Sequence, residues 1–205
     1  MTIQDQLLAA MYLSFYKDEA RFDVLAWLKQ NDLGQSAFST GRDKVEMDIG
    51  PGGRNLVDML ANAELIQKRV GTEAVILPKG IDHVEQNELV EASQIATMRQ
   101  RRFKVLDALQ RLQAQSSDQS KAQVGRIMTE AKMLRNDATP TLKELEIRRW
   151  VETPAGLKDG WLAITWEGAQ ALEQLRASVP AETAPPPPPD ASGGPVPLSS
   201  IKFFD

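Results

Sequence analysis

The sequence contains no cysteine and a single histidine, His83, among its 205 residues. The chain therefore has no thiol with which to form a disulfide, bind a metal or attack a substrate, and one histidine cannot supply a two-histidine metal site or a pair of imidazole bases. Carboxylates are plentiful, but no two of them stand in an apolar stretch that would favour an acid and base pair. We therefore expect a protein that is not an enzyme and that has no metal or other cofactor.

A phosphate-binding loop and a long hydrophobic run are missing as well. The stretch Gly50–Arg54 lacks the Lys-Ser/Thr pair of such a loop, so a turn that starts a helix is the better interpretation. The apolar stretch Leu7–Tyr16 is interrupted by Ser14 and ended by Lys17, and no run approaches the length of a membrane span. Residues Met1–Asp5 lack the basic start of a secretory signal. We expect a cytoplasmic protein without a membrane partner.

Proline is concentrated at one end of the chain. Eight of the twelve prolines lie from Pro180 to Pro197, in a segment that is also rich in alanine, glycine and serine. Such a composition cannot bury a core and predicts a disordered, extended tail over residues 179–205. The preceding residues are enough for one large domain or two small ones.

Charge divides the chain into three segments. Residues 1–92 hold 9 basic against 15 acidic side chains, residues 93–178 hold 14 against 10, and residues 179–205 hold 1 against 3. The formal net charge of -4 therefore hides a basic middle segment. An anionic partner is expected there first.

Hydrophobic periodicity predicts the same order of elements in the first two segments. In residues 1–92 a polar insertion over 35–50, which allows a short strand at Val45–Ile49, separates the second helix from the third. The elements predicted there are helices over 3–16, 22–31 and 56–66, strands over 67–70 and 74–77, and a helix from Pro78. Those predicted in residues 93–178 are helices over 95–112, 124–133 and 142–147, strands over 148–152 and 161–166, and a helix over 168–177.

The connection between the two segments is left open by the sequence. Residues Ile81–Gln115 contain neither proline nor glycine. The last helix of the first segment can therefore continue into the first helix of the second, or the two can be separated by a kink near Ala92–Ser93.

This order of elements and the local residues resemble the winged helix-turn-helix family. Leu56–Ile66 and Leu142–Val151 are similar to the family's third helix running into its first wing strand, and Val75–Asp82 and Leu162–Gly168 to the step from the second wing strand into a helix. The resemblance, to bacterial or phage DNA-binding regulators, implies a mainly α fold with small β-hairpins (α+β). It would comprise an acidic winged-helix-like domain over 1–92, a basic winged-helix domain over 93–178 and the tail.

The resemblance also implies which residues would contact DNA. The first unit is not expected to do so, because Arg54 is offset by Asp48 and Asp58 and its third helix follows an insertion. In the second unit the candidates are basic side chains on or near the second and third helices, polar side chains at the start of the third helix, and one lysine on the wing. They are Lys121, Arg126, Lys132, Arg135, Lys143, Asn136, Thr139, Thr141 and Lys158.

A solvated helix face is the alternative for these residues. The positive charge of the second unit is small for a DNA-binding domain, and four acidic residues interrupt the patch. They are Glu130, Asp137, Glu144 and Glu146, of which Asp137 is a candidate cap for the third helix. His83 is expected at the surface.

The end of the tail carries four large apolar residues, which indicate a docking peptide for a protein partner. They are Leu198, Ile201, Phe203 and Phe204. Ser200–Phe204 resembles the pentapeptide with which bacterial replication and repair proteins bind the sliding clamp, except that Ser200 stands where glutamine is usual. A weaker likeness is to the tail of single-stranded DNA-binding proteins. The alternative is that this end folds back on the protein's own surface.

Three tryptophans of the second unit, Trp150, Trp161 and Trp166, are expected to pack under the wing, although one exposed ring could anchor a partner. Together these patterns predict a DNA-associated regulator of transcription that binds duplex DNA through the second unit and recruits protein through the first unit and the tail. Two alternatives stay open. One is an assembly subunit similar to the acidic tandem winged-helix subunits of bacterial chromosome-condensing complexes, and the other is a replication or repair accessory that docks on the clamp. A homodimer is compatible with each.

Overall fold

The same order of helices and strands occurs twice along the chain. The computed structural model describes residues 1–17, 22–31, 51–69, 73–115, 121–153 and 160–178. The elements of the first unit are α1 (Ile3–Tyr16), β1 (Phe22–Asp23), α2 (Val24–Gln30), α3 (Pro51–Asn62), β2 (Ile66–Lys68), β3 (Glu73–Ile76) and α4 (Pro78–Gln86). Those of the second unit are α5 (Ala92–Gln115), β4 (Ala122–Gln123), α6 (Val124–Glu130), α7 (Arg135–Ile147), β5 (Val151–Glu152), β6 (Trp161–Ile164) and α8 (Trp166–Ser178). The described part of the chain is mainly helical with small antiparallel sheets, as the sequence predicts.

Two of the sequence predictions concern other parts of the chain. The strand at Val45–Ile49 and the tail over 179–205 lie outside the described residues. Among the helices of the described ranges, none combines the length and the apolar composition that crossing a bilayer requires.

Each unit contains a three-stranded antiparallel sheet in which the third strand in sequence lies in the middle. In the first unit the order is β1-β3-β2, with Phe22 opposite Ala74 and Ile66 opposite Ile76. In the second unit it is β4-β6-β5, with Ala122 opposite Leu162. The strands β1 and β4 were not predicted, because two residues carry no periodicity and their extended conformation depends on pairing with a distant strand.

The boundary of the third helix also differs from the prediction. The run Gly50-Pro51-Gly52-Gly53 was expected to break the chain before this helix, but α3 begins at Pro51 and includes both following glycines. Proline suits the first helical position, since its nitrogen needs no intrahelical partner and its φ is already helical.

The two units are joined by a short turn rather than by a continuous helix. Helix α4 ends at Gln86 and α5 starts at Ala92. Glu88 between them has a φ of 49°, and the amide of Leu89 donates to the carbonyl of Val84. This turn separates the two helices without proline or glycine, so the sequence carries no local signal for it.

The root of the hairpin is built in the same way in both units. Glu64 and Arg149, just before the first hairpin strand, have φ values of 61° and 59°. In the following helix, an ideal Cβ on Gly80 would lie 2.2 Å from the carbonyl oxygen of Leu65, and one on Gly168 would lie 1.9 Å from that of Trp150. The closing helix of each unit can therefore approach the hairpin only because these two positions have no side chain.

Each unit has its own hydrophobic core. The first core contains the buried side of α1, and Leu7, Leu8, Met11 and Tyr12 are each at most 1% exposed. Of the other residues predicted on this side, Phe15 is partly buried and Ile3 is exposed. The second core is assembled around α5 and holds the following large side chains: Val105, Leu106, Leu109, Ile127, Leu145, Leu162 and Leu172.

Buried charges connect the two units. Arg102 of α5 is 3% exposed, and its guanidinium donates to Glu85 of α4 and, at 3.2 Å, to Glu144 of α7. The hydroxyl of Tyr12 donates to Glu85 at 3.0 Å, and that of Tyr16 donates to Glu144. Since α1 and α4 belong to the first unit and α7 to the second, this network holds α7 against the first unit.

Arg148 extends the network at the end of α7. Its Nε donates to Glu144 at 2.7 Å, and its Nη2 donates to Asp82 of α4 at 2.7 Å. Every buried side-chain polar atom in the described residues has a hydrogen-bond partner. A buried carboxylate is tolerated when all its hydrogen bonds are made, because paired cations that donate to it offset the cost of removing it from water.

The two close approaches of glycine predict a pair of destabilised variants. Gly80→Ala and Gly168→Ala should each lower the free energy of unfolding by about 3 kcal/mol, because the new methyl group meets a backbone oxygen that cannot rotate away. Gly125→Ala is the control: no atom lies within 4 Å of its Cβ position. It should leave stability unchanged or raise it by up to about 1 kcal/mol. Urea denaturation measures all three, and equal stabilities would contradict the packing of α4 and α8.

The network also predicts an alkaline unfolding transition. The chain has two tyrosines, Tyr12 and Tyr16. Burial raises the pKa of both phenols well above 10, and the charges of Glu85 and Glu144 add to this. Stability should therefore be complete below pH 10, the ordinary pKa of the unfolded chain, and fall above it by about 1.4 kcal/mol per pH unit for each tyrosine.

Absorbance at 295 nm and tryptophan fluorescence, followed together against pH, check this prediction. We expect both tyrosines to ionise in one step with unfolding, and Tyr16→Phe to reduce the steepness of the loss. A phenol that titrates near pH 10 in the folded protein would contradict its burial.

Candidate nucleic-acid interface

Most of the residues predicted to contact DNA lie on or near α6, the turn over residues 131–134 and the first turn of α7. We call this part of the second unit the α6–α7 corner. Helix α6 is anchored by Ile127, which is fully buried. The chain then turns at Lys132, whose φ is 51°, and the amide of Met133 donates to the carbonyl of Met128 at 3.0 Å. Leu134 is the extended residue that precedes α7, and its carbonyl accepts from Ala138 at 3.0 Å. The turn is short and lies at the surface.

Asp137 does not cap α7, in contrast to the interpretation that its sequence position suggests. The cap position is occupied by Leu134, which makes no side-chain cap hydrogen bond. Asp137 lies in the first turn of the helix, and its carboxylate is 2.6 Å from the guanidinium of Arg101 on α5. The charge of Asp137 is therefore compensated within the second unit. Its carboxylate also lies near the positive, N-terminal end of the helix dipole, where a negative charge is stabilising.

The candidates on α7 do not all lie on one side of the helix. Arg135, Asn136 and Lys143 are exposed, and Thr139 is half-buried with its hydroxyl donating to the carbonyl of Arg135 at 2.9 Å. Thr141 is fully buried, and its hydroxyl donates to the carbonyl of Asp137 at 2.8 Å. Thr141 therefore cannot reach a base edge; it faces the core because it lies just over one turn before Leu145 on the same face.

The remaining candidates lie around the α6–α7 corner or outside the described residues. Arg126 and Lys132 are exposed. Lys121 is half-buried, with its ammonium 5.6 Å from the centre of the Trp161 ring, which is a cation–π distance. Lys158, expected on the wing, lies outside the described residues.

The acidic residues that interrupt this patch in the sequence are not equivalent in the structure. Glu144 is fully buried and paired with Arg102 and Arg148 on the inner side of α7. Asp137 is paired with Arg101, and Glu130 lies 3.9 Å from Arg111. Glu146 is exposed, and partial desolvation raises the pKa of its carboxyl group. The outward side of the α6–α7 corner is therefore more positive than the sequence alone suggests.

The corresponding helix of the first unit has a different electrostatic character. Asp58 on α3 is paired with Lys68 of β2, and Glu64 lies 3.7 Å from Lys79. Asp48 and the side chain of Arg54 lie outside the described residues. In the part of α3 whose side chains are described, Asp58 is the sole charged residue.

Two exposed apolar side chains near the corner and the hairpin were not singled out as site residues. Leu134 is 76% exposed between Met133 and Arg135, and Trp166 is 71% exposed at the first position of α8. Trp150 and Trp161 are half-buried, so the tryptophan that could anchor a partner is Trp166. Leu134 follows directly after the helix predicted over 124–133, and connecting segments usually lie at the surface.

The described residues contain no cluster of three acidic or histidine side chains that could hold a metal ion. His83 is half-buried rather than fully at the surface, and its Nε2 lies 3.2 Å from Asp5 of α1. These two groups connect α4 to α1 within the first unit.

Comparison with known proteins gives no relative from which a function could be transferred. The chain matches no protein-family model, and neither a curated protein nor a solved structure is significantly similar to it. The function must therefore be argued from the geometry of the chain itself.

Proposed function

We propose that this protein is a non-enzymatic, DNA-associated protein made of two winged-helix units, with a role in transcriptional control. The repeated order of three helices, a two-stranded hairpin and a closing helix supports the winged-helix interpretation. The proposal assigns duplex DNA to the second unit and protein partners to the first unit and the tail.

The observation that carries the DNA proposal is the charge distribution at the α6–α7 corner. Arg126 on α6, Lys132 in the turn, and Arg135 and Asn136 in the first turn of α7 are all exposed there. Asp137 is paired with Arg101, Glu144 is buried in the network, and Glu130 lies 3.9 Å from Arg111. The first turn of a third helix is also the part that reaches base edges when such a helix enters the major groove.

The packing of α7 limits the direction of approach. Its inner side contacts α5. Glu144 on this side accepts hydrogen bonds from Tyr16 of α1 and from Arg102, which in turn bonds to Glu85 of α4. Arg135 and Thr139 are separated by four residues, which places them on the outward side. A duplex would therefore meet the outward side of α7 while the first unit supports the helix from behind.

Titration of duplex DNA over a salt series tests the proposal. We expect binding at about 50 mM salt and a linear fall of log affinity with log salt, because each phosphate contact releases counterions. The double variant Arg126→Ala with Arg135→Ala should bind more weakly and lower the steepness of this fall by about two.

The matched control removes two exposed cations from the first unit, Lys68→Ala with Lys79→Ala, and changes the net charge by the same amount. It should retain the wild-type affinity. Equal losses in both double variants would indicate a general charge effect instead of a contact surface, and no binding even at low salt would reject the DNA proposal.

The assembly alternative is favoured by a different observation, the exposed ring of Trp166 at the start of α8. An aromatic side chain that is not covered by its own unit is suited to anchor a protein partner. Absence of DNA binding, together with loss of self-association or of complex formation in Trp166→Ala, would favour an assembly subunit.

We propose that the tip of the tail, which lies outside the described residues, is a docking peptide; under the replication or repair alternative its partner is the sliding clamp. Affinity of the full chain for a purified bacterial clamp is the measurement. Phe203→Ala with Phe204→Ala should abolish binding, since apolar anchors carry most of the energy in short peptide motifs. Ser200→Gln, which introduces the usual first residue of the clamp pentapeptide, should strengthen it. If neither change alters the affinity, the clamp is not the partner.

A further inference from the structure

A cleft of about 230 Å³ lies between the first unit and the C-terminal half of α7. Its walls are formed by α1, β1 and β3 on one side and by the last turn of α7 on the other. The apolar lining comes from Met11, Phe15, Phe22, Val75, Ile76 and Ile147. A concave apolar surface with a few polar groups at its edge is the usual form of a small-molecule site.

The polar groups of the cleft have a net positive charge. Arg69 follows β2, Lys143 lies on α7, and one carboxylate, that of Glu146, lies one turn further along the same helix. Within the described ranges the guanidinium of Arg69 forms no ion pair, although its side chain borders the cleft. Two cations and one carboxylate around an apolar space complement a ligand that has an apolar body and a single negative charge.

The volume of the cleft restricts the size of its ligand. It is smaller than the pockets that enclose drug-sized molecules, so the part of a ligand that it covers is small. The phenyl rings of Phe15 and Phe22 in the wall offer flat surfaces on which an aromatic ring can pack.

We propose that this cleft binds a small apolar carboxylate whose aromatic or branched aliphatic body has on the order of ten non-hydrogen atoms. The body lies against the aromatic and aliphatic wall, and the carboxylate faces Arg69 and Lys143 at the edge. The ligand touches both units at once. The assignment of this ligand does not rest on DNA binding by the second unit.

Two-dimensional methyl NMR of the full chain tests the proposal with phenylacetate, 3-phenylpropionate and 4-methylpentanoate as probes. We expect the methyl groups of Met11, Val75, Ile76 and Ile147 to shift, with a dissociation constant of about 0.1–1 mM for the best probe. Methyl groups of Ile127 and Leu172 in the second core should not move. Phenylacetamide, the neutral counterpart of phenylacetate, should bind more weakly.

Charge variants test the assigned orientation of the ligand. Arg69→Ala should weaken phenylacetate binding about two- to fivefold and Glu146→Gln should strengthen it by a similar factor, as expected for partly solvated charges. Lys68→Ala, the loss of a neighbouring exposed cation that does not line the cleft, should leave it unchanged. Equal affinities of carboxylate and amide would overturn the anionic assignment.

The tip of the tail also combines apolar side chains with a carboxylate, in Phe203, Phe204 and Asp205. A variant of the tip tests whether the tail itself occupies the cleft. If Phe203→Ala with Phe204→Ala shifts the methyl groups of the cleft without any added probe, the cleft is the site of the tail and the small-molecule proposal is wrong. Failure of all three probes to shift these methyl groups at about 10 mM, ten times the weakest expected dissociation constant, would also overturn it.

Discussion

The arrangement of the two units depends on one buried cation, the guanidinium of Arg102 between Glu85 and Glu144. The two carboxylates belong to different units, so neither unit can turn away without leaving a charge without a partner in an apolar interior. Breaking such a buried pair costs about 3–5 kcal/mol, a large fraction of the 5–15 kcal/mol by which folded domains are stable. An apolar replacement of the same shape could match the stability of the network, but it would not specify one orientation as strictly. We therefore regard the network as a device that fixes the geometry between the units.

This geometry gives α7 two distinct sides. Pro140 and Glu144 lie on the inner side, which is buried, whereas Arg135 and Thr139 lie on the outer side. Since successive residues on a helix are separated by 100°, one helix can serve as a structural joint and as a contact surface with little interference between the two roles. The outer side remains open to substitution, while a change on the inner side alters the position of the whole helix.

Much of the fold follows from local sequence patterns. The buried side of α1 and the two hairpins are specified by periodicity and by glycine in the loops, so they could be predicted within a few residues. The strands β1 and β4, the turn at Glu88 and the burial of Glu144 could not, because each depends on residues far away in the chain. A carboxylate in a helix has the same sequence environment whether it faces water or an arginine from another element. The predicted site residues on α7 therefore included Thr141, which is buried, and the acidic residues were assumed to weaken the patch equally although Glu144 faces inward.

The hairpin root has a consequence for how such a chain can change over time. What the two units share there are backbone angles at Glu64 and Arg149 and the absence of a side chain at Gly80 and Gly168. When residues 56–66 are aligned with 141–151, Leu60 and Leu145 are the one identical pair. Few positions thus carry the architecture, and the others are constrained only by size and polarity. Two units can therefore share one order of helices and strands while most of their side chains differ.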